Sequence, residues 1–334
     1  MKPDNHIRIP EKKIGVLMVN LGTPESTDYW SMRKYLKEFL SDKRIIEVSR
    51  IIWYPILYFI ILLFRPNKSG KLYKKIWNKN LNQSPLKVFS QRIVSKLQKK
   101  LPKKIIVELG MNYGFPKISN QMSSLMKKGC QKILIFPMYP QYSATTTASV
   151  VDRVFEYLKK TRWQPAIRIV PPYHDDKLYI EALSVHIKKK IKKQKKKPKT
   201  ILCSFHGIPK KYFYKGDPYH CHCAKTVRLL NEKFKGEINF QMSFQSRFGP
   251  QEWLKPYLNE KMDEMLEMKI SDLVITAPGF SVDCLETLEE IKIQGEEDFL
   301  DKGGKSFCYI ECLNDEIEGV EMYRKIIERE LSGW

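Results

Sequence analysis

The chain has 334 residues, of which 43% are hydrophobic, so it can bury a substantial core and intrinsic disorder is excluded. Lysine and arginine exceed aspartate and glutamate by 59 to 37, and the net charge of +22 points to an acidic ligand, an anionic membrane surface or nucleic acid as a partner. The seven cysteines are odd in number and irregularly spaced, which argues against a disulfide framework and predicts free thiols in a reducing compartment.

The amino-terminal segment shows no sign of export. Residues 1–13 contain Asp4, Glu11 and two prolines, and they lack the apolar stretch of a secretory signal. We therefore expect the protein to remain in the cytoplasm.

A run of fourteen apolar residues, IIWYPILYFIILLF, covers residues 51–64 between Arg50 and Arg65, and we call it the lip. It is too short to span a bilayer, which requires about 20 residues. A run of this length forms either a buried core helix or an interfacial segment, and its aromatic side chains and flanking arginines are typical of the interface. The composition leaves both alternatives open.

Short apolar runs rich in β-branched residues recur along the chain, with helical stretches between them. This alternation predicts parallel strands buried on both faces, and hence an α/β fold. The predicted strands are Ile14–Leu21, Ile105–Gly110, Ile133–Met138, Ile167–Val170, Thr200–Phe205, Ile238–Phe244, Leu273–Ala277 and Phe307–Ile310.

The predicted strands fall into two groups of four, divided by the helical stretch Val150–Lys160. We therefore predict two similar doubly wound, Rossmann-like domains, each with a mostly parallel four-stranded sheet, that face a central cleft. The N-terminal domain is predicted to cover residues 1–165, including the lip, and the C-terminal domain residues 166–334. A closing helix is predicted over residues 315–331.

Positive charge is densest from Lys188 to Lys199, where the sequence reads KKKIKKQKKKPK. No aromatic residue interleaves with these lysines, so stacking on bases has no support, and no nucleic-acid-binding motif is present. We interpret the run as a solvated connection and predict no nucleic-acid partner.

A histidine follows the fifth predicted strand. His206 stands at the carboxyl end of Thr200–Phe205 and precedes Gly207, a position where α/β enzymes place reactive groups. A neutral imidazole can accept a proton or bind a metal. A single histidine is more often merely packed or hydrogen-bonded, so the position alone leaves both interpretations open.

Several acidic residues follow the seventh predicted strand, in the stretch APGFSVDCLETLEEI. We expect a helix to begin near Ser281. Asp283, Glu286 and Glu290 would then share one of its faces, and Glu289 would lie beside them. Such a row is typical either of a solvated helix start that complements the helix dipole, or of a path for hard cations or protons.

The run HCHC at residues 220–223 looks like a zinc motif at first sight. Structural zinc sites normally take ligands from two separated pairs, and consecutive residues point in different directions. We therefore interpret the run as structural.

Eight motifs, spread over roughly residues 14 to 314, resemble those of the ferrochelatase family and occur in the family's order. They are NLGTP, YLKEFLSDKRIIE, GMNYGFP, YPQYSATTT, SFHGIP, GDPYHCHC, FQSRFGPQEWL and PGFSVDCLETLEE. The resemblance implies insertion of Fe²⁺ into protoporphyrin IX to form protohaem, with release of two protons. That chemistry needs a base and a route for a cation, and an imidazole with a row of carboxylates supplies both.

The resemblance also implies roles for individual residues. His206 and Glu286 would face each other across the porphyrin pocket and carry iron binding and proton removal. Asp283 and Glu290 would form an acidic path leading away. The residues implied to contact the porphyrin are Leu21, Trp253 and Phe280, which pack against the macrocycle, and Arg65 and Lys68, which meet its propionates. An alternative for the last two is a snorkelling pair at the end of the lip.

The chain departs from parts of the family in two places. Some members carry a cysteine-rich carboxyl-terminal extension with a [2Fe–2S] cluster, whereas this sequence has no cysteine after Cys312. We therefore expect no such cluster and no other prosthetic group. Cys284 stands where one branch has a histidine, which removes a second proton acceptor beside Glu286.

Two alternatives stay open at this level. A coproporphyrin chelatase would suit a more polar pocket mouth, whereas the lip favours an apolar substrate delivered from a membrane surface. A carrier of haem or porphyrin without catalysis would not need His206 and Glu286, and both are present. We therefore predict porphyrin and Fe²⁺ as substrates, and a peripheral contact with a membrane surface.

Overall fold

The computed structural model describes residues 12–194 and 196–334. Residues 1–11, which belong to the segment where we predict no export signal, lie outside the described residues. Lys195 of the lysine run also lies outside them. Every predicted strand is found within a few residues of its predicted bounds. The strands are β1 (Lys13–Thr23), β2 (Ile105–Gly114), β3 (Cys130–Pro137), β4 (Ala166–Ile169), β5 (Thr200–His206), β6 (Asn239–Gln245), β7 (Asp272–Thr276) and β8 (Ser306–Ile310).

These strands form two parallel sheets. Within the described residues, the strand order is β2-β1-β3-β4 in the first sheet and β6-β5-β7-β8 in the second. The predicted α/β class with two four-stranded parallel sheets is confirmed. Ile167 of β4 pairs with Ile133 of β3, so the first sheet extends past residue 165, where we expected the first domain to end.

Helices connect the strands. The α-helices are α1 (Tyr29–Leu40), α2 (Arg50–Ile56), α3 (Leu62–Ile76), α4 (Pro85–Lys100), α5 (Ile118–Lys127), α6 (Ser149–Leu158), α7 (Lys177–Ile191), α8 (Lys210–Tyr214), α9 (Tyr219–Lys233), α10 (Leu258–Glu267), α11 (Glu296–Asp301) and α12 (Ile317–Glu330). π-Helical segments lie at Leu57–Ile61, Ala144–Ala148 and Glu286–Gly295. The predicted closing helix is α12, which packs against α4 and α7.

Both faces of β1 are buried, as its continuous apolar run predicts. Val16 and Met18 enter one hydrophobic cluster, whereas Leu17 and Val19 enter another with residues of α5 and α6. The first cluster also contains Ile201 and other residues of β5. The two sheets therefore share a continuous core, which holds the strands that carry predicted site residues in a fixed relation.

The lip is helical and largely exposed. Leu57 and Leu62 are completely buried, whereas Ile51, Phe59 and Phe64 are 87%, 74% and 73% exposed. The alternative of a buried core helix is therefore wrong for the exposed face of the run. In the described chain, no helix has both the length and the apolar character needed to cross a bilayer.

β1 and β2 approach each other closely at Gly22, next to the predicted porphyrin contact Leu21. Gly22 has a φ of +106°, and a Cβ at this position would lie 1.7 Å from the carbonyl oxygen of Tyr113. Glycine alone fits such an approach. The glycine of the NLGTP motif therefore fixes how the carboxyl ends of the two strands pair.

Replacing Gly22 by alanine should destabilise the fold strongly, because the methyl group would overlap the Tyr113 carbonyl. Gly216→Ala is the matched control, since Gly216 has a φ of +94° but no atom within 4 Å of a Cβ placed there. The control should lose about 1–2 kcal/mol of unfolding free energy through backbone strain alone, and Gly22→Ala more than that. Urea unfolding followed by circular dichroism measures both variants. Equal losses would contradict the close approach.

Candidate active site

His206 is the last residue of β5. Its Nδ1 lies 2.7 Å from the carbonyl oxygen of Gly207. Because a carbonyl only accepts, Nδ1 carries the proton of the neutral imidazole and Nε2 keeps its lone pair. The side chain is thus in the tautomer that a proton acceptor or a metal ligand needs at Nε2.

Trp253 packs against Gly207, the residue that follows His206. A Cβ on Gly207 would lie 3.2 Å from the Trp253 ring, and the backbone N–H of Gly207 donates to the carbonyl of Gln245 at 2.8 Å. The indole N–H of Trp253 donates to the carbonyl of Phe248 at 3.0 Å, which fixes the orientation of the ring. The structure therefore brings His206 together with one of the predicted porphyrin contacts.

Gln245 of β6 joins the strand of His206 to the acidic helix. It is the registered neighbour of His206 in the sheet. Its amide oxygen accepts a hydrogen bond from the Ser204 hydroxyl. Its amide nitrogen donates to the backbone carbonyl of Glu286 at 2.7 Å and to Oε2 of Glu290 at 3.4 Å. One buried side chain thus sets the position of the helix relative to β5.

The acidic stretch becomes helical later than the sequence predicts. Its helix is the π-helix Glu286–Gly295, not an α-helix from near Ser281. A π-helix closes hydrogen bonds from i to i+5, so α-helical spacing does not apply to it. Asp283 precedes the helix, and the prediction that it shares a helix face with Glu286 and Glu290 is wrong.

Asp283 is held inside the C-terminal half, where it is 2% exposed. Its carboxylate accepts hydrogen bonds from the Thr287 hydroxyl at 3.0 Å, the Tyr309 hydroxyl at 2.7 Å and the Asn314 amide at 2.6 Å. These donors satisfy a buried carboxylate that would otherwise be costly. Asp283 therefore ties the start of the π-helix to β8 and the segment that follows it.

Glu290 lies close to Glu286 and His206. Burial raises the pKa of Glu290; hydrogen bonds from Ser246 and the nearby His206 oppose the rise, and Glu286 adds to it. The backbone N–H and the hydroxyl of Ser246 both donate to the carboxylate, the N–H at 2.7 Å. Ser246 has a φ of +65°, a left-handed conformation. The result is a well-anchored carboxyl group that takes up a proton at a higher pH than an ordinary glutamate.

Glu286 faces two buried tyrosines of the N-terminal half. Burial is the main cause that raises the pKa of Tyr35 in α1 and of Tyr73 in α3, and the Glu286 carboxylate contributes to the rise in both. This electrostatic effect requires proximity. Glu286 therefore lies at the junction of the two halves, with α1 and α3 on one side and β6 on the other.

Glu289 makes different contacts from its neighbours on the helix. It is buried, and it accepts hydrogen bonds from Lys75 of α3 at 2.8 Å and from the Gln294 amide. The pair links α3, which continues from the lip, to the acidic helix.

The predicted propionate contacts on α3 have different surroundings. Arg65 is half-buried, burial lowers its pKa, and its guanidinium lies 4.6 Å from the ring centroid of Phe248. Phe248 belongs to the same loop as Trp253. Lys68 is exposed. The structure therefore places Arg65 against the loop that borders His206, and leaves Lys68 at the surface.

Leu21 and Phe280, the other predicted porphyrin contacts, are partly buried. Both pack against the hydrophobic cluster shared by the two sheets. Leu21 also packs against the cluster beneath the lip, and Phe280 against that of the second sheet. They therefore border the same junction of the two halves at which Glu286 lies.

Comparison with known proteins places the chain in a family. The ferrochelatase family model matches residues 13–331. The chain belongs to the ferrochelatase family. A ferrochelatase of Agrobacterium fabrum strain C58 is 51% identical over 336 residues, which cover 99% of this chain and 97% of the relative. One of Rhizobium meliloti strain 1021 is 50% identical over 332 residues, with 98% of each chain covered. The protein is thus a metal chelatase enzyme of haem biosynthesis that inserts iron into a porphyrin.

Solved structures share the fold at low sequence identity. SirB from Bacillus subtilis, solved with Fe³⁺, has a TM-score of 0.58 at 11% identity, and the match covers 96% of both chains. CbiX, the terminal enzyme of sirohaem biosynthesis in denitrifying bacteria, has a TM-score of 0.50 at 10% identity, with 96% of this chain and 100% of that chain covered. These likenesses agree with the two-sheet α/β architecture of this ferrochelatase family member.

The HCHC run lies in α9 and makes structural contacts. His222 stacks on His174 with ring centroids 3.6 Å apart, and its Nδ1 accepts the backbone N–H of Tyr142 at 3.1 Å. Cys223 is buried and Cys221 exposed. Over residues 12–194 and 196–334, no three His, Cys, Asp or Glu side chains form a group that could hold a metal ion. The structural interpretation of the run agrees with these contacts.

Sequence reasoning did not single out Tyr35, Tyr73, Gln245 or Ser246. Tyr35 opens the motif YLKEFLSDKRIIE, and Gln245 and Ser246 lie in FQSRFGPQEWL, so membership of a ferrochelatase motif was an available signal for three of them. Tyr73 lies in none of the eight motifs. Their relation to the acidic helix arises from contacts between distant parts of the chain.

Protonation of His174 should destabilise the fold in mild acid. Burial, and then the neighbouring His222, lower the pKa of His174 from 6.5 to about 4. The unfolded chain therefore binds more protons at His174 than the folded chain does between these two pH values. The contribution of His174 to the free energy of unfolding is complete above pH 6.5 and is lost as the pH falls toward 4. His174→Asn, which does not titrate in this range, should lose less unfolding free energy over it. Chemical denaturation across the range measures the difference, and parallel pH curves would refute the expectation.

Proposed function

We propose that this chain inserts Fe²⁺ into protoporphyrin IX, forming protohaem and releasing two protons, in the terminal step of haem biosynthesis. The observation that carries the proposal is the proximity of one imidazole and two carboxyl groups, those of His206, Glu286 and Glu290, at the junction of the two halves, where they do not form a complete three-ligand metal site. Removal of protons and delivery of a cation need this combination. Porphyrin and Fe²⁺ are substrates here, and the absence of a resident prosthetic group stays a prediction.

In this proposal His206 acts through Nε2, because Nδ1–H is committed to the Gly207 carbonyl. Nε2 either takes a pyrrole proton or binds the iron. Protonation produces an imidazolium, and the carboxylates of Glu286 and Glu290 stabilise that charge electrostatically. The same carboxylates attract Fe²⁺ when the imidazole is neutral.

Glu286 and Glu290 form the inner part of the proposed path. Glu286 is the first residue of the π-helix. Glu290 lies one turn further on, where its carboxylate accepts the backbone N–H of Ser246. The raised pKa of Glu290 suits it to receive protons that leave Glu286. We assign Asp283 a positioning role in the path, because its hydrogen bond from Thr287 holds the start of the helix.

The proposed porphyrin site combines an apolar wall with positive charge. Leu21, Trp253 and Phe280 supply the wall, and Arg65 and Lys68 supply cations for the propionates. Arg65 contacts the Phe248 ring, and Trp253 donates to the Phe248 carbonyl. These contacts support a single pocket opening that is bordered by both the apolar wall and the cations. Protoporphyrin is the substrate we favour because the helix that leads to these cations exposes a large apolar face.

An anaerobic assay with Fe²⁺ and either protoporphyrin or coproporphyrin, followed by absorbance, tests the substrate and the residues together. We expect faster turnover with protoporphyrin. His206→Ala, and Glu286→Gln, which keeps the shape but cannot ionise, should each lower kcat at least about 100-fold. Porphyrin binding, measured by fluorescence quenching, should change little, because the apolar wall supplies most of it.

Glu297→Gln is the matched control, since Glu297 is an exposed carboxylate on the next helix. It should turn over at the normal rate. Near-normal turnover of either site variant would remove that residue from the mechanism. Faster turnover with coproporphyrin would overturn the substrate assignment.

We also propose that the protein works in the cytoplasm with its lip against a membrane surface. The exposed faces of Ile51, Phe59 and Phe64 supply apolar area for the acyl boundary. The net charge of +22 favours anionic lipid, and salt should weaken the attraction. An apolar porphyrin could then pass between the bilayer and the site without crossing bulk water.

Replacing Ile51, Phe59 and Phe64 together by serine should weaken binding to liposomes without lowering the melting temperature, because these side chains are mostly exposed. Leu62→Ser is the contrasting variant. Leu62 is fully buried, and burial of a leucine side chain is worth about 1.5–3 kcal/mol, so this change should lower the melting temperature. Co-sedimentation with liposomes and thermal melting measure the two effects. Unchanged liposome binding of the triple variant would contradict the membrane proposal.

A further inference from the structure

An open pocket lies outside the candidate active site. It has a volume of about 550 Å³ and is lined by residues 43–44, residues 46–50 and Asp152. None of the residues proposed to meet the porphyrin or the iron belongs to this lining. We call it the Arg50 pocket.

The guanidinium of Arg50 has no acceptor in the part of the chain that the structure describes. Its two terminal nitrogens, Nη1 and Nη2, are buried without a hydrogen-bond partner. The centroid of the Tyr54 ring lies 5.8 Å from the guanidinium carbon. An unpaired buried cation is costly, so a rotation of the Arg50 side chain that brings these nitrogens to an anion in the pocket would be favourable.

The other charges of the pocket are already balanced, apart from one lysine. Arg44 binds Asp152 through two hydrogen bonds, at 2.8 Å and 3.3 Å. Glu47, the second carboxylate of the lining, pairs with Lys215. Lys43 forms no ion pair among residues 12–194 and 196–334. Two positive charges, on Lys43 and Arg50, therefore remain for a ligand.

We propose that the Arg50 pocket binds a phosphate group. Two unpaired cations match the charge of a phosphate better than that of a single carboxylate, and the planar fork of an arginine fits phosphate oxygens. Ile51 and Ile52, which follow Arg50 directly, are 87% and 60% exposed. A phospholipid could therefore place its headgroup in the pocket and its chains against the lip, and a free phosphate would use the same cations. The site does not depend on the proposed iron chemistry.

Arg50→Gln and Lys43→Gln test the proposal, with Lys127→Gln as the control for net charge. Lys127 is exposed on α5, outside the pocket. Calorimetry with inorganic phosphate is one arm, and co-sedimentation with phosphatidylcholine vesicles, with and without phosphatidylglycerol, is the other. We expect Arg50→Gln to bind at least about tenfold more weakly in one or both arms, with Lys127→Gln unchanged.

Each pattern of results decides the matter. Loss in the vesicle arm, with or without loss in the phosphate arm, identifies a lipid headgroup, and loss in the phosphate arm alone identifies a soluble phosphate. Equal binding by Arg50→Gln and Lys127→Gln, or no binding by the unaltered protein in either arm, overturns the proposal. So does a raised KM for porphyrin in Arg50→Gln, which would assign the pocket to a propionate.

Folding can be checked independently of binding. Without an anion, Arg50→Gln should melt at or above the temperature of the unaltered protein, because it removes an unpaired buried charge. Phosphate should then raise the melting temperature of the unaltered protein and not that of Arg50→Gln. A variant that melts well below the unaltered protein would show that Arg50 has a structural partner, and would overturn the proposal.

Discussion

The side-chain amide of Gln245 is the constraint on which the arrangement of the site depends. Its oxygen accepts from Ser204 in β5, and its nitrogen reaches the helix at Glu286 and Glu290. A side-chain amide has a carbonyl oxygen that accepts and an NH₂ group that donates twice. The bond from Ser204 uses the oxygen, and the bonds to Glu286 and Glu290 use the two N–H donors. A carboxylate in its place would repel Glu290, and an apolar residue would lose the hydrogen bond to the Glu286 carbonyl. Because Gln245 is registered with His206, strand pairing sets the distance between base and helix.

The acidic helix carries three carboxyl groups whose surroundings differ. Glu286 faces the tyrosines of the N-terminal half, Glu289 pairs with Lys75, and Glu290 is anchored by Ser246. Glu289 is thereby neutralised by a cation on α3, whereas Glu286 and Glu290 form no ion pair within the described residues and lie near His206. The same ion pair links α3 to the helix, so the segment that continues from the lip and the proposed iron path are mechanically connected.

Most of the fold and part of the site could be read from the sequence. The β-branched runs predicted all the strands because buried parallel strands are continuously apolar. His206 was found because it ends such a strand. The prediction that Asp283 shares a helix face with Glu286 and Glu290 is wrong for two reasons. π-Helical hydrogen bonding has no signature in the sequence. Asp283 is also held by Tyr309 and other residues beyond the helix. Contacts of this kind depend on how distant segments pack.

The lip shows how an exposed apolar helix can be held firmly. Pro66 has no N–H to donate to the carbonyl four residues before it, that of Leu62. Tyr29 and Arg33 of α1 donate to this carbonyl instead, at 3.0 Å and 3.3 Å. The side chain of Leu62 is fully buried and belongs to the inner face of the lip. Polar contacts and the buried face therefore fix the helix, and the exposed side chains are not needed to hold it. A surface that is already ordered loses little conformational entropy on contact with a ligand or a bilayer. Most of the free energy gained by burying its apolar area is therefore available for binding.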